Sequence, residues 1–332
     1  EAAYADRAMD GVAFDRDNVG LRYERSDTTG RLRGVEAQAY YNYVDHVMDN
    51  YSLRDFTPTP TMPGRTVQNP DRRTTGGRAA FDLAWSGGTV ATLGADLQQN
   101  EHSLRATMNQ LVMPYESLPR IDDAWFRSIG AFGEVNQPLP ARNRLVAGLR
   151  LDAWEARDER DTLRIGMAMV PNPTADETRR TTLPSGFVRL EHGLAGRPAT
   201  LFAGLGHVQR FPDYWELVSA GKESVDGLSA FDTSPEQTTQ LDTGVVYAGA
   251  KLSASVSAFY SDVADYILIQ SGYPKGMRSV TVTRNVDART WGGEADATYA
   301  LTTHWQLVGT LAYTRGENDT DDLPLAQMPP LE

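Results

Sequence analysis

Soft-metal chemistry in this sequence sits in one short segment, Asp45-His46-Val47-Met48-Asp49-Asn50. His46 and Met48 stand at i and i+2, and in an extended strand such side chains point the same way. An imidazole nitrogen beside a thioether sulfur is a soft donor pair, suited to Cu(I) and poorly suited to magnesium or calcium. A thioether has no proton to lose, so the pair tolerates mild acid better than thiols would. Two donors are too few for tight binding, and the remainder has to come from elsewhere. A His-x-Met pair also arises by coincidence, and the residues alone leave that alternative open. Met108 and Met113 fall in one long loop and Met167 and Met169 in another. There they either capture soft cations or simply pack loops together.

Other chemistry is sparse. The sequence has 332 residues and no cysteine, which removes disulfides, thiolate metal sites and thiol nucleophiles. Its five histidines are His46, His102, His192, His207 and His304. None has His-Glu-x-x-His spacing, and no Gly-x-Ser-x-Gly elbow occurs. Gly292-Gly293 lacks the strand-to-helix setting of a phosphate loop. The expectation is a non-enzyme without an organic cofactor. With 44 acidic against 32 basic residues the net charge is -12, which argues against a nucleic-acid partner, since phosphate binding needs clustered Lys and Arg. No apolar run is long enough for a transmembrane helix.

The elements that must position His46 and Met48 are strands. Apolar residues alternate with polar ones at period two, through Val19–Tyr23, Val35–Tyr43, Ala79–Trp85, Leu93–Leu97, Ala131–Val135 and Leu145–Leu151. The pattern continues through Val188–Leu190, Leu201–Leu205, Leu241–Tyr247, Leu252–Ala258, Ala295–Tyr299 and Leu307–Tyr313. Twelve strands of about ten to sixteen residues are predicted, longer than the usual ~5–6 of soluble sheets. Short, turn-rich connections alternate with long ones at 46–73, 100–121, 158–181, 210–235, 262–279 and from Arg315 onward. In an up-and-down sheet all short turns then fall on one edge and all long loops on the other, the asymmetry of outer-membrane barrels. Leu145, Leu149, Leu151, Val245 and Val256 are expected to face lipid. Arg22, Glu36, Gln38, Asp82, Arg150, Asp152, Arg189, Glu191 and Asp242 are expected to line a wet lumen. Tyr40, Tyr41, Tyr43, Trp85, Trp125, Phe126, Trp154, Trp291 and Trp305 are read as an interfacial girdle. A soluble sandwich would show the same alternation; strand length and loop asymmetry disfavour it.

Four segments resemble a known family. Gly206-His207-Val208-Gln209-Arg210-Phe211-Pro212-Asp213-Tyr214-Trp215-Glu216-Leu217 looks like a strand-to-loop passage of TonB-dependent outer-membrane receptors. Ser234-Pro235-Glu236-Gln237-Thr238 resembles the strand start that follows it, and Asn285 with Trp291-Gly292-Gly293-Glu294 a later strand. Leu311–Gly316 followed by Pro324–Leu331 resembles the strand and loop that come before the family's last strands. The resemblance implies an all-β, antiparallel, up-and-down transmembrane β-barrel. About twelve strands of a larger, 22-stranded barrel fall within residues 1–332, with the plug domain, its TonB box and the terminal strands outside them. It implies an outer-membrane location, outer-membrane lipid around the wall and the TonB energy-transducing complex as partner through the plug. Within the family the chain looks most like the copper-receptor branch, where a His-x-Met on the barrel wall binds copper, Cu(I) or Cu(II), together with plug ligands. His46 and Met48 match that pattern, with copper as the transported ligand. The alternatives are a siderophore or other nutrient receptor, and a passive porin-like or adhesin barrel.

Overall fold

Period-two alternation gives the wall of the computed structural model, which describes residues 9–27, 29–59, 62–165, 168–218, 221–325 and 328. Met167 and, in the last resemblance segment, Ala326, Gln327, Pro329, Pro330 and Leu331 lie outside the described residues. Twelve long strands appear in the predicted places. They are β1 (Asp10–Ser26), β2 (Leu32–Asp49), β3 (Val67–Ala84), β4 (Val90–Thr107), β5 (Ile121–Leu139) and β6 (Asn143–Asp158). They continue as β7 (Thr178–Gly193), β8 (Ala199–Arg210), β9 (Glu236–Ala248), β10 (Leu252–Lys275), β11 (Arg278–Ala300) and β12 (Gln306–Asn318). Each pairs antiparallel with its sequence neighbour, so the sheet is a meander. The short connection between β1 and β2 and the short turns at 85–89, 140–142, 194–198, 249–251 and 301–305 share one edge.

Two expectations about connections are corrected. The predicted long connection 262–279 is strand: β10 has 24 residues, β11 has 23, and only Gly276 and Met277 separate them. Polar residues such as Asp262, Ser271 and Thr281 read as loop because this hairpin stands above the apolar band, where neither face has to be hydrophobic. Of the connection 210–235, expected as a rim loop, the described residues 211–218 and 221–235 fold back over the polar face of the sheet. Its Phe211, Leu217, Val218 and Phe231 are buried with Phe126 of β5, Ala156 of β6 and Leu183 of β7, and Trp154 and Tyr214 pack against the cluster. Phe126 and Trp154 are therefore not girdle residues. Tyr40 also leaves the girdle: it shares parity with Gln38 and Asn42, faces the polar side, and accepts a hydrogen bond from Gln98 Nε2 at 3.3 Å.

The two faces have distinct physics. Leu149 (76% exposed), Leu151 and Val256 are bare on the apolar face, with nothing packed over them. The polar face carries ion pairs, among them Arg150 with both Asp96 and Asp152, and Glu191 with both Arg144 and Arg189. It also carries aromatics laid across glycines of the next strand: Phe132 over Gly94, Phe187 over Gly148, Phe202 over Gly244 and Phe259 over Gly292. A Cβ at any of these glycines would collide with the ring, so the close approach requires glycine.

Candidate metal centre

His46 and Met48 lie near the long-loop end of β2, on its polar face. The ladder to β1 pairs Phe14 with His46 and, after a β-bulge, Gly11 with Met48. The Phe14 ring meets the His46 ring edge-on, centroids 5.4 Å apart. Gly11 leaves space in front of the imidazole, since a Cβ there would sit 3.0 Å from His46 Nε2. Partial burial lowers the His46 pKa from its ordinary value, against the opposing pull of the Asp45 carboxylate. A neutral imidazole is the form that binds a metal.

The backbone under the pair is held from several directions. The β2–β3 register runs through Asp45↔Asp71 and Met48↔Gln68, which places Pro70 opposite His46. Proline has no N–H to give the ladder. The His46 carbonyl instead accepts from Asn69 Nδ2 at 3.1 Å. Asn69 is fully buried and also donates to the Asp45 carboxylate. Arg120, at the start of β5, reaches back over the same seam. It donates to Asp45 Oδ2 at 2.8 Å, Asn69 Oδ1 at 2.9 Å and the Asn69 carbonyl at 2.9 Å, and pairs with Asp71 at 3.3 Å. Just past Met48, the buried Asp49 carboxylate accepts from the Tyr51 and Ser52 amides at 3.0 and 2.8 Å. Asn50 bridges the Gly64 carbonyl and the Thr66 amide across the loop. The strand end that carries His46 and Met48 is thus held from both sides.

Among the described residues no group of three or more His, Cys, Asp or Glu is placed to hold a metal. The loop methionines stand apart, Met113 half exposed on segment 108–120 and Met169 exposed on a small hairpin of Thr162–Ile165 and Ala168–Pro171. Met277, at the tip of the β10–β11 hairpin, is fully exposed.

The second constellation was missed in the sequence. Opposite His102, a β-bulge inserts an extra residue into β5, between the pairs His102↔Ala124 and Ser103↔Asp122. The bulge re-aims Asp123 toward the polar side. There Tyr214, from segment 211–235, donates to Asp123 Oδ2 at 2.6 Å and stacks on His102 at 4.1 Å. Burial raises the Asp123 pKa to about 6 and, with the charge of Arg72, lowers that of His102 to about 3. Asp213 begins the same turn as a capping box with Glu216, and its Asp-x-x-Glu spacing was a legible signal.

Fold, strand order and the paired faces define a membrane β-barrel wall. The chain matches the TonB dependent receptor-like β-barrel family model over residues 1–332 and belongs to that family, whose barrels sit in the outer membrane. A solved structure titled copper transporter OprC is 46% identical, covers 98% of this chain with a TM-score of 0.89, and is itself covered to 51%. The ferric-catecholate import receptor Fiu from E. coli K12 is 13% identical over 92% of this chain and 48% of its own, TM-score 0.65. The ferripyoverdine receptor of Pseudomonas aeruginosa is 12% identical over 94% and 41%, TM-score 0.64. These two share the fold alone. No curated protein matches the chain. The chain spans about half the length of the copper transporter it resembles.

Proposed function

We propose that the receptor carrying this chain imports copper across the outer membrane, with His46 and Met48 supplying the barrel-wall half of the copper site. The reading rests on one observation above others, the 46% identity to a copper transporter over 98% of the chain. The soft donors His46 and Met48 on the lumen-facing side of β2 supply residues whose chemistry fits that cargo. The remaining ligands come from the plug, a separate domain expected outside residues 1–332. Energy comes from the TonB complex acting on that plug, and no step of the proposal calls for catalysis.

The rival cargo is a ferric siderophore, whose receptors share this fold at 12–13% identity. An uptake assay separates the two. Cells dependent on this receptor should accumulate copper under copper limitation with the wild type, and lose that accumulation with His46→Ala/Met48→Ala or without TonB. Ferric-siderophore uptake that is insensitive to both substitutions, with copper unaffected, would assign the other cargo.

A further inference from the structure

One patch on the outward face is not explained by cargo transport. Arg127 of β5, Glu155 of β6 and Arg180 of β7 lie side by side in register, Arg127↔Glu155↔Arg180. Arg127 Nη2 donates to Glu155 Oε2 at 2.8 Å, and Arg180 donates through Nη2 and Nε to Oε1 at 2.7 and 3.1 Å. Two guanidinium groups thus share one carboxylate. Neighbouring outward arginines are balanced one to one, Arg73 with Glu101 and Arg157 with Asp176. Arg180 remains 75% exposed and Arg127 43%. Each guanidinium has five N–H donors, so most stay available beside an uncompensated positive charge.

The patch also sits at a particular height. Asn143 opens β6 at the short-turn edge and Glu155 follows it by 12 residues. At ~3.3 Å per residue and a tilt near ~40°, that is about 30 Å along the barrel axis, just above an apolar band expected to be about 25 Å tall. From Leu145 up to Glu155 the outward residues of β6 are Leu145, Ala147, Leu149, Leu151 and Ala153, all apolar. A groove of about 490 Å³ opens there, lined by Arg127, Ile129, Ala153, Glu155, Arg180 and Thr182. Its floor is continuous with the lipid-facing band and its mouth is cationic. It faces the outer leaflet, because the short turns mark the opposite, periplasmic side.

We propose that this groove is a binding site for the phosphorylated glycolipid of the outer leaflet. An acyl chain lies over Ile129 and Ala153, and a sugar phosphate is taken by the forks of Arg127 and Arg180, whose planar N–H pairs match phosphate oxygens. The site is independent of the cargo, and of whether His46 and Met48 bind copper.

The test is lipid retention by the full-length receptor, isolated from outer membranes in mild detergent and measured by native mass spectrometry. The probes are bisphosphorylated lipid A, phosphatidylglycerol and inorganic phosphate. Wild type should retain lipid A in preference to both others. Arg127→Ala/Arg180→Ala should lose it by about tenfold or more, the usual scale for removing charge-assisted hydrogen bonds. Arg73→Ala, on the same face but two strands from Arg127, should leave retention unchanged. If the double variant does not assemble, Arg180→Gln alone changes only an exposed side chain and should weaken retention in the same direction. Equal lipid A retention by wild type and the arginine variants overturns the proposal. So does phosphatidylglycerol or free phosphate binding as well as lipid A.

Discussion

Pro70 makes Asn69 necessary. A proline in a paired strand leaves a carbonyl on its neighbour without a ladder donor, and here that carbonyl belongs to His46. Asn69→Ala should therefore cost about 1–3 kcal/mol, the range for stranding buried polar groups. The loss should be local, read as faster amide exchange at Val47 and Met48 while the β6–β7 ladder stays protected. Unchanged exchange there would mean that Arg120 alone holds the seam. At the other constellation, His102 and Asp123 oppose each other in pH. The lowered His102 pKa contributes stability that is present above about 6.5 and lost as pH falls toward 3. The raised Asp123 pKa contributes stability that is present below 3.8 and lost as pH rises through about 6. Between roughly pH 4 and 6 the two slopes cancel. Docking of segment 211–235 should be nearly flat across that window, followed by exchange at Leu217 and Phe231. Asp123→Asn should remove one slope and leave the docked segment weakening steadily as pH falls below 6.5. A flat profile in that variant would contradict the account.

At the scale of elements, each wall strand separates lipid from lumen by parity alone. Leu149, 76% exposed on the apolar face, should tolerate arginine poorly: Leu149→Arg near the bilayer midplane is expected to cost about 2–4 kcal/mol. Asp152→Asn, on the opposite face, should cost much less, because Arg150 keeps its two bonds to Asp96. Urea titration of the reconstituted receptor measures both, and a cheaper Leu149→Arg would invert the faces. Strand number, strand order and face were all legible in the sequence, since side chains two apart must share an environment. That His46 and Met48 share one face of β2 was legible for the same reason. The height of the β10–β11 hairpin was not, because above the membrane a strand loses the apolar alternation that marks it. Asn69 and Arg120 were not, because their roles depend on contacts 23 and 75 residues distant. Nor was the inward fold of 211–235, whose Phe211, Leu217 and Phe231 follow no strand period.

At the scale of the molecule, the wall presents three surfaces: an apolar band to lipid, a cationic groove above it, and a polar inner face with a soft donor pair near its long-loop edge. The central claim is that this pair holds the cargo. The measurement is the copper content of the full-length receptor purified under copper-replete conditions, wild type against His46→Ala/Met48→Ala. The account predicts copper bound to the wild type and lost from the double variant, with the β-sheet melt of the two proteins alike. Equal copper in both proteins would contradict it.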